Sequence, residues 1–485
     1  MARGYTSKTD IYMVLSVTTL VNFLTGFNAR LAVVGLPSIA RDLGADIYQI
    51  VWIVQGYMLG STVIQLIVGR LSDLFGRVRL FNLGIAIFGL GAFISGLSTS
   101  PILLIVSRCI QGVGAAFLIS LTVTILTDNV PPNRLATWLG INQVSWRVGA
   151  LLGLTLSGFI IDYLGWRWIF LVQAPLSLAI LLWSAKKLKE RYKPVEKPYI
   201  DWLGFTSFTA AIALLLIGLT LYGYGFSKYS LYTMISGIAL LLFFSIWELN
   251  TGHPALDLSI FRLWQFSGGI VAQLLYSIGF GASMTLLAIY LQSVKGFTAT
   301  QTGLLLIPYE LSFLVFGVVG GRLSDSIGFV PVAVAGLAAG SVALYIISMV
   351  SSLNTLIVAE LLLGVGTGLF VSPNTSSIMN SVPPHRRGIA SSIRTISFNI
   401  GFALSLNIAV LSLTQVLPYE IVSKLITYER VQNTSESSLS IEISMLSKTI
   451  KHSFKVQSIL MAIAIPFTVS RTRKSHEKID TLFEA

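Results

Sequence analysis

Residues 69–77 read GRLSDLFGR and residues 321–328 read GRLSDSIG, an offset of 252. The same offset carries GVG at 112–114 onto GVG at 364–366, and VPPNR at 130–134 onto VPPHR at 382–386. Three matches at one spacing define an internal repeat. A membrane-spanning helix needs about 20 mostly apolar residues, because lipid offers the backbone no hydrogen bonds. About fourteen runs meet that need. They lie near 11–36, 49–69, 80–99, 101–127, 136–161, 166–184, 202–222, 230–248, 267–292, 302–321, 330–351, 355–379, 388–414 and 453–470. The offset spans eight runs, an even number, so both copies cross the membrane in the same direction. The expected fold is an all-α polytopic membrane protein. It has a six-helix half over 1–190, a linker with two inserted helices over 191–255, and a second six-helix half over 256–485 with a long outer loop at 415–452.

The composition agrees. The 485 residues are 54% hydrophobic and 11% charged, against about 25% charged in soluble domains, so the excess apolar surface faces lipid. The net charge of +12 comes from 33 Lys and Arg against 21 Asp and Glu. These cations fall in short clusters between apolar runs, which excludes nucleic-acid binding. With the N-terminus inside, about 20 of them lie on the inner side and about 9 on the outer. The largest inner cluster is Lys186, Lys187, Lys189, Arg191, Lys193 and Lys197. Both termini are therefore expected in the cytoplasm. The first run contains Asn22, Asn28 and Arg30, so it reads as a retained helix and not a cleaved leader.

Enzyme classes find no support. Cys109 is the single cysteine, and His253, His385, His452 and His476 have no metal-site spacing. No metal or cofactor is expected. No phosphate-binding loop, zinc-protease pair or nucleophile elbow is present, so neither ATP-driven transport nor hydrolysis is indicated.

These residues resemble the major facilitator superfamily, and the fourteen-helix count resembles its drug:proton antiporter branch. Gly69, Asp73, Gly76, Arg77 and Arg79 occupy the positions of the superfamily's loop signature. Arg108, Gln111, Gly112 and Gly114 match its Arg-x-x-Gln-Gly-x-Gly pattern, and LGWRWIFLVQAP at 164–175 resembles the segment between helices five and six of the branch. The resemblance implies alternating access between two halves, with Asp73 as a latch at the cytoplasmic mouth. Gly69, Gly76, Arg77 and the second-copy Asp325 belong to the same gating set. Two departures stand out. FNARLAVVGLP at 27–37 places Asn28 where the branch carries an acid, and GLTLSG at 153–158 has Leu154 for proline and Ser157 for glycine. Asn28 cannot carry a proton.

Charges inside spans mark functional candidates. They are Arg30, Arg108, Arg147, Arg394, Glu310 and Glu360. Arg30, Arg108, Glu310 and Glu360 each lie roughly 9 to 12 Å below the outer end of their helix. Glu360 is Arg108 displaced by 252, so direct pairing or a water-mediated contact between the two across a cavity is geometrically reasonable. Either the four form a structural ion cluster, or Glu310 or Glu360 carries the proton. Glu310 comes first in that reading, because Glu360 has Arg108 for a partner. Arg147, near the midplane, holds an anionic substrate or bonds to helix carbonyls and to neighbours such as Asn142 and Gln143. Arg394 reads as an inner-gate or snorkelling cation. Asn28, Arg30, Arg108, Gln111, Asn142, Arg147, Tyr276 and Tyr309 are the cavity candidates. Trp52, Gln55, Tyr57, Gln273 and Asn374 read as packing residues before ligand contacts.

The expected function is secondary transport of a small molecule across the cell membrane by a monomer, driven by a proton gradient and directed to efflux of amphipathic, drug-like compounds. A carrier for organic anions is the alternative within transport. A transporter-like sensor without turnover is the alternative of another class.

Overall fold

Among the described residues of a computed structural model, fourteen helices are long and apolar enough to cross a membrane. The residues described are 8–130, 132–190, 200–252, 254, 256, 258–383, 387–414, 421–422 and 436–473. Arg191, Lys193, Lys197, His253, His385, His476 and most of 415–435 lie outside them.

The spans are α1 (Ile11–Leu43), α2 (Ile47–Gln65), α3 (Arg77–Gly96), α4 (Pro101–Asn129), α5 (Trp138–Leu164), α6 (Arg167–Lys187) and α7 (Trp202–Gly223). There follow α8 (Ser227–Asn250), α9 (Trp264–Val294), α10 (Ala299–Ile327), α11 (Phe329–Ser348), α12 (Leu353–Asn380), α13 (Ile389–Thr414) and α14 (Ile441–Val469). No strand occurs among the described residues, as expected where each backbone polar group must be satisfied within its own segment.

Three boundaries differ from the sequence reading. Helix α1 continues through Pro37 instead of stopping there. A proline inside a helix costs about 3 kcal/mol, and packing of the buried Leu36, Ile39 and Ala40 holds the turn. Helix α2 ends at Gln65, and a separate short helix, Val68–Phe75, carries most of the first signature. The outer loop expected over 415–452 is helical from Glu436, so the last span begins well before residue 453.

The repeat is visible in the backbone. Helix α3, Arg77–Gly96, shifted by 252 is α11, Phe329–Ser348. Ser100 caps α4 by accepting from the Leu103 N–H, and Ser352 caps α12 by accepting from Thr355 N–H. Such a cap satisfies one of the open donors at a helix start. Glycines let equivalent helices touch, as small residues do in membrane bundles. A Cβ on Gly112 would lie 2.0 Å from the Tyr57 carbonyl oxygen, and one on Gly364 would lie 2.5 Å from that of Tyr309.

The chain divides into two compact units, Met1–Thr206 with Phe297–Leu304, and Ser207–Gly296 with Leu305–Ala485. The first unit has an apolar core that includes Val17, Val21, Leu24, Phe81, Phe88, Leu118 and Leu121. In it α5 lies close along α1, because a Cβ on Gly153 would meet the Phe27 carbonyl oxygen at 2.3 Å. The C-terminal end of α5 also receives the 297–304 segment. There Asp162 accepts from the Thr300 N–H at 2.8 Å, and a Cβ on Gly158 would come within 2.6 Å of the Ala299 carbonyl oxygen. The surviving glycines of the 149–158 stretch are thus contact points. In the second unit, α8 leaves Leu242, Ile246 and Leu249 exposed, a surface suited to lipid.

Candidate functional site

The first signature loop is built around Gly76. Its φ of 95° lies in a region that side chains rarely adopt, and this turn starts α3. The open N–H groups of Val78 and Arg79 donate to the Glu190 carboxylate at 2.8 and 3.3 Å. A Cβ on Gly76 would lie 2.6 Å from that same Glu190 oxygen. Arg77, the first residue of α3, donates to Asp73 at 3.5 Å and makes a closer ion pair with Asp128 at the end of α4. Asp73 is therefore joined to Arg77, but Asp128 is the stronger partner. Gly69 has open space around it.

Glu190 and Asp128 were not found from sequence. Glu190 leaves one signal, a lone carboxylate in the cationic run KKLKER at 186–191. Asp128 leaves none, being 51 residues from Arg77.

The second copy keeps the backbone and changes the chemistry. Gly328 starts α11 with a φ of 87°, yet nothing crowds it. Asp325 is exposed. Phe329 stands where Arg77 was, and the Arg471 guanidinium lies 4.6 Å over its ring. Arg471 is 1% exposed and donates to Asn374 and Ser377 of α12, both at 2.6 Å. Burial lowers its guanidinium to about 10, so it stays charged at neutral pH. Asn374 also donates to the Gly269 carbonyl at 3.2 Å. This cluster was not anticipated, because Arg471 lies just past the final apolar run.

Inside the first unit, Arg108 on α4 is 2% exposed. Its Nη1 donates to Asn28 Oδ1 at 2.9 Å and to Gln111 Oε1 at 2.5 Å, and its Nε donates to the Ile53 carbonyl at 3.3 Å. The rings of Tyr57 and Phe170 lie 4.6 and 5.5 Å from it. Gln111 in turn donates to Gln173 at 3.2 Å. Asn28, Arg108 and Gln111 are thus brought together as candidates, with Gln173 added on α6. Arg30 is buried on α1. Asn142 accepts from Asn22 at 2.7 Å and donates to the Trp138 carbonyl. Arg147 is half-buried and Gln143 is exposed.

The bonds shown for Arg108 and the surroundings of Glu360 are each described within their own unit. Arg108 uses its printed bonds within α1, α2 and α4. Glu360, fully buried on α12, has no hydrogen-bond partner for either carboxylate oxygen among the described residues. Ser312 on α10 donates to the Leu361 carbonyl at 2.7 Å, so the helix carrying Glu310 is tied to α12 beside Glu360. Glu310 itself is buried. Arg394 on α13 is half-buried, with its Nε unpartnered.

Tyr276 and Tyr309 belong to an aromatic stack. Phe370 meets Tyr276 at 4.7 Å between ring centroids, Tyr276 meets Phe280 at 5.6 Å, Phe280 meets Tyr309 at 5.6 Å, and Tyr309 meets Phe313 at 5.9 Å. Spacings of this size suit offset ring packing. Among the described residues no group of His, Cys, Asp and Glu could hold a metal ion.

Comparison with known proteins agrees with this architecture. The chain is 28% identical over 411 residues to the riboflavin transporter RibZ of Clostridioides difficile, covering 83% of this chain and 89% of that protein. It is 30% identical over 416 residues to the cephamycin export protein CmcT of Amycolatopsis lactamdurans, covering 83% and 85%. It is 27% identical over 400 residues to the multidrug export protein EmrB of Escherichia coli, covering 80% and 78%. A solved bacterial homologue of the human lysosomal transporter Spinster has a TM-score of 0.70 at 16% identity, covering 96% of this chain and 98% of that one. The sequence model of the Major Facilitator Superfamily matches residues 18–406. A duplicated helical architecture, a signature loop in each copy and a family match over most of the length have one reading: this chain is a multi-pass membrane transporter of the Major Facilitator Superfamily.

Proposed function

We propose that the protein exports amphipathic small molecules across the cell membrane in exchange for protons, with Glu360 as the proton carrier. The observation that supports this is the isolation of the Glu360 carboxyl. It is fully buried, and neither oxygen has a hydrogen-bond partner among the described residues. An ionised carboxylate without water or a partner is costly, so such a group holds a proton in this conformation and gives it up where water reaches it. Alternating access supplies the second environment. The choice of amphipathic cargo draws on the relatives named for multidrug and cephamycin export. The bias of Lys and Arg toward inner loops supports cytoplasmic termini.

The test uses proteoliposomes with an imposed pH gradient and a fluorescent amphipathic dye. Glu360→Gln keeps the size of the side chain and removes the titration. It is expected to abolish uphill transport while downhill exchange continues. Glu310→Gln is expected to retain gradient-driven accumulation. Uphill transport by Glu360→Gln would remove Glu360 from the role. Dye binding by the unaltered protein without movement under either gradient direction would favour the sensor reading.

A further inference from the structure

We infer that Arg471 is the positioning cation of the second signature loop. From beyond the end of α14 it does what the Arg77–Asp128 pair does in the first half. It joins the third helix of its half to the fourth and sets how far the loop opens. The inference goes beyond the proposed function, since neither the cargo nor Glu360 enters it.

The second copy has lost the ion pair. Arg77 and Asp128 shifted by 252 are Phe329 and Asn380, which carry no charge. Helix α11 nevertheless starts in the same kind of turn as α3, at Gly328. The cation comes from another part of the chain. Arg471 lies two residues past Val469, where α14 ends. Its guanidinium covers the Phe329 ring at 4.6 Å and donates to Asn374 and Ser377 of α12 at 2.6 Å each. One side chain thus links the end of α14, the start of α11 and α12. Helix α9 is drawn into the same set, because Asn374 donates to the Gly269 carbonyl and Gln265 donates to Ser377 at 2.8 Å. Gly268 and Gly269 leave room for the arginine, since a Cβ on either would lie 3.0 Å from one of its side-chain atoms.

The two fastenings differ in strength. A planar guanidinium with two acceptors and a ring face engaged is fixed in direction, and hydrogen bonds from a charged donor exceed neutral ones. Arg471 is 1% exposed. The side chains of Arg77 and Asp128 are 18% and 30% exposed, where water and salt weaken an ion pair. The second loop is therefore held more firmly than the first. Each half also secures the start of its third helix with a residue just past its last helix. In the first half that residue is Glu190, three residues past the end of α6 at Lys187, and it accepts from the Val78 N–H. In the second it is Arg471. The offset of 252 carries Glu190 onto Glu442, so this correspondence is made by packing and not by the repeat.

The experiment is hydrogen–deuterium exchange of the full chain in phosphatidylcholine nanodiscs, read at the backbone amides of 332–336 in α11 and of 80–84 in α3. Such exchange reports local opening of each helix start. Arg471→Gln is expected to speed exchange in α11 about tenfold, the effect of losing one hydrogen bond to a charged group, and to leave α3 unchanged. Arg471→Lys keeps the charge but cannot hold both acceptors in one plane. It is expected to speed α11 by a smaller factor, and it carries the test if the glutamine variant does not fold. Phe329→Arg alone is expected to speed α11 as well, because two guanidinium groups then meet. The triple variant Phe329→Arg, Asn380→Asp, Arg471→Gln moves the pair of the first half into the second and is expected to restore protection, which a merely space-filling role of Arg471 would not allow. Unchanged α11 exchange in Arg471→Gln or Arg471→Lys, equal acceleration in α3 and α11, or a triple variant no better protected than Arg471→Gln would overturn the inference. No cargo and no gradient enter the measurement, so failure of proton-coupled export leaves its outcome unaffected.

Discussion

Positions 108 and 360 are the same place in the repeat, one on α4 and one on α12, and they carry opposite charges in opposite settings. Around Arg108 the side chains are polar. Asn28 and Gln111 accept its protons, and the Tyr57 ring lies against it. The positions related by 252 are Phe280, Leu363 and Tyr309. There an aromatic stack replaces the amides, and Glu360 has no side-chain hydrogen bond among the described residues. The backbone is repeated closely, down to the Ser100 and Ser352 caps. Duplication therefore preserved the scaffold, and substitution at a few interior positions made one half a cation held by dipoles and the other a bare acid.

The largest expected effect breaks that contrast directly. Arg108→Leu strands the acceptor oxygens of Asn28 and Gln111, and leaving buried polar groups unsatisfied costs about 1 to 3 kcal/mol each. Glu360→Leu breaks no hydrogen bond shown in the structure. Thermal unfolding in a fixed detergent should show a clear drop for Arg108→Leu and little or none for Glu360→Leu. Equal destabilisation would mean that Glu360 has a structural partner after all.

The signature loops sharpen the same comparison at the ends of the helices. Asp73 is linked to Arg77, whereas Asp325 is exposed and is followed by Phe329 in place of the arginine. Asp73→Asn is expected to slow transport about tenfold with ligand affinity unchanged, a loss of about 1.4 kcal/mol on a conformational step. Asp325→Asn should stay within about twofold by the same relation. Equal loss of rate and affinity in Asp73→Asn would remove the gating role.

The smallest difference lies between the two turn glycines. An alanine at a positive φ costs about 1 to 2 kcal/mol, so Gly76→Ala and Gly328→Ala should both lower stability. Gly76→Ala should cost more, because the added carbon would also displace Glu190 from the start of α3. The cap it disturbs is worth about 1 kcal/mol. Unfolding of the two variants side by side measures the difference, and identical shifts would show that Glu190 does not cap the helix in solution.

The expected fold was readable to within a few residues because spanning helices are local objects. The apolar runs placed all fourteen, and the structure shows the repeat offset again in the starts of α3 and α11. The misread boundaries share a cause. Pro37, the Leu66–Ile67 break and the 436–452 stretch are decided by what packs against them, and local propensity is silent on that. The candidate site was only partly readable. Asn28, Arg108 and Gln111 stand out through the family resemblance, Asn28 as a departure from it and the other two as part of its pattern, but the resemblance does not predict their mutual bonds. Symmetry of position in the repeat relates Arg108 to Glu360, but it carries no information on the amides of the first unit that accept from Arg108.

What the sequence by itself determined is the solvent, the number of spans and the duplication. Each depends on composition and spacing along one segment, since a helix in lipid makes its backbone bonds within itself. Which side chain meets which was decided only by the tertiary structure. Arg108 reaches Asn28 across 80 residues, Val78 reaches Glu190 across 112, and Arg471 reaches Asn374 across 97. Those partners are chosen by how the helices pack, and at such separations the order of the chain carries no trace of the choice.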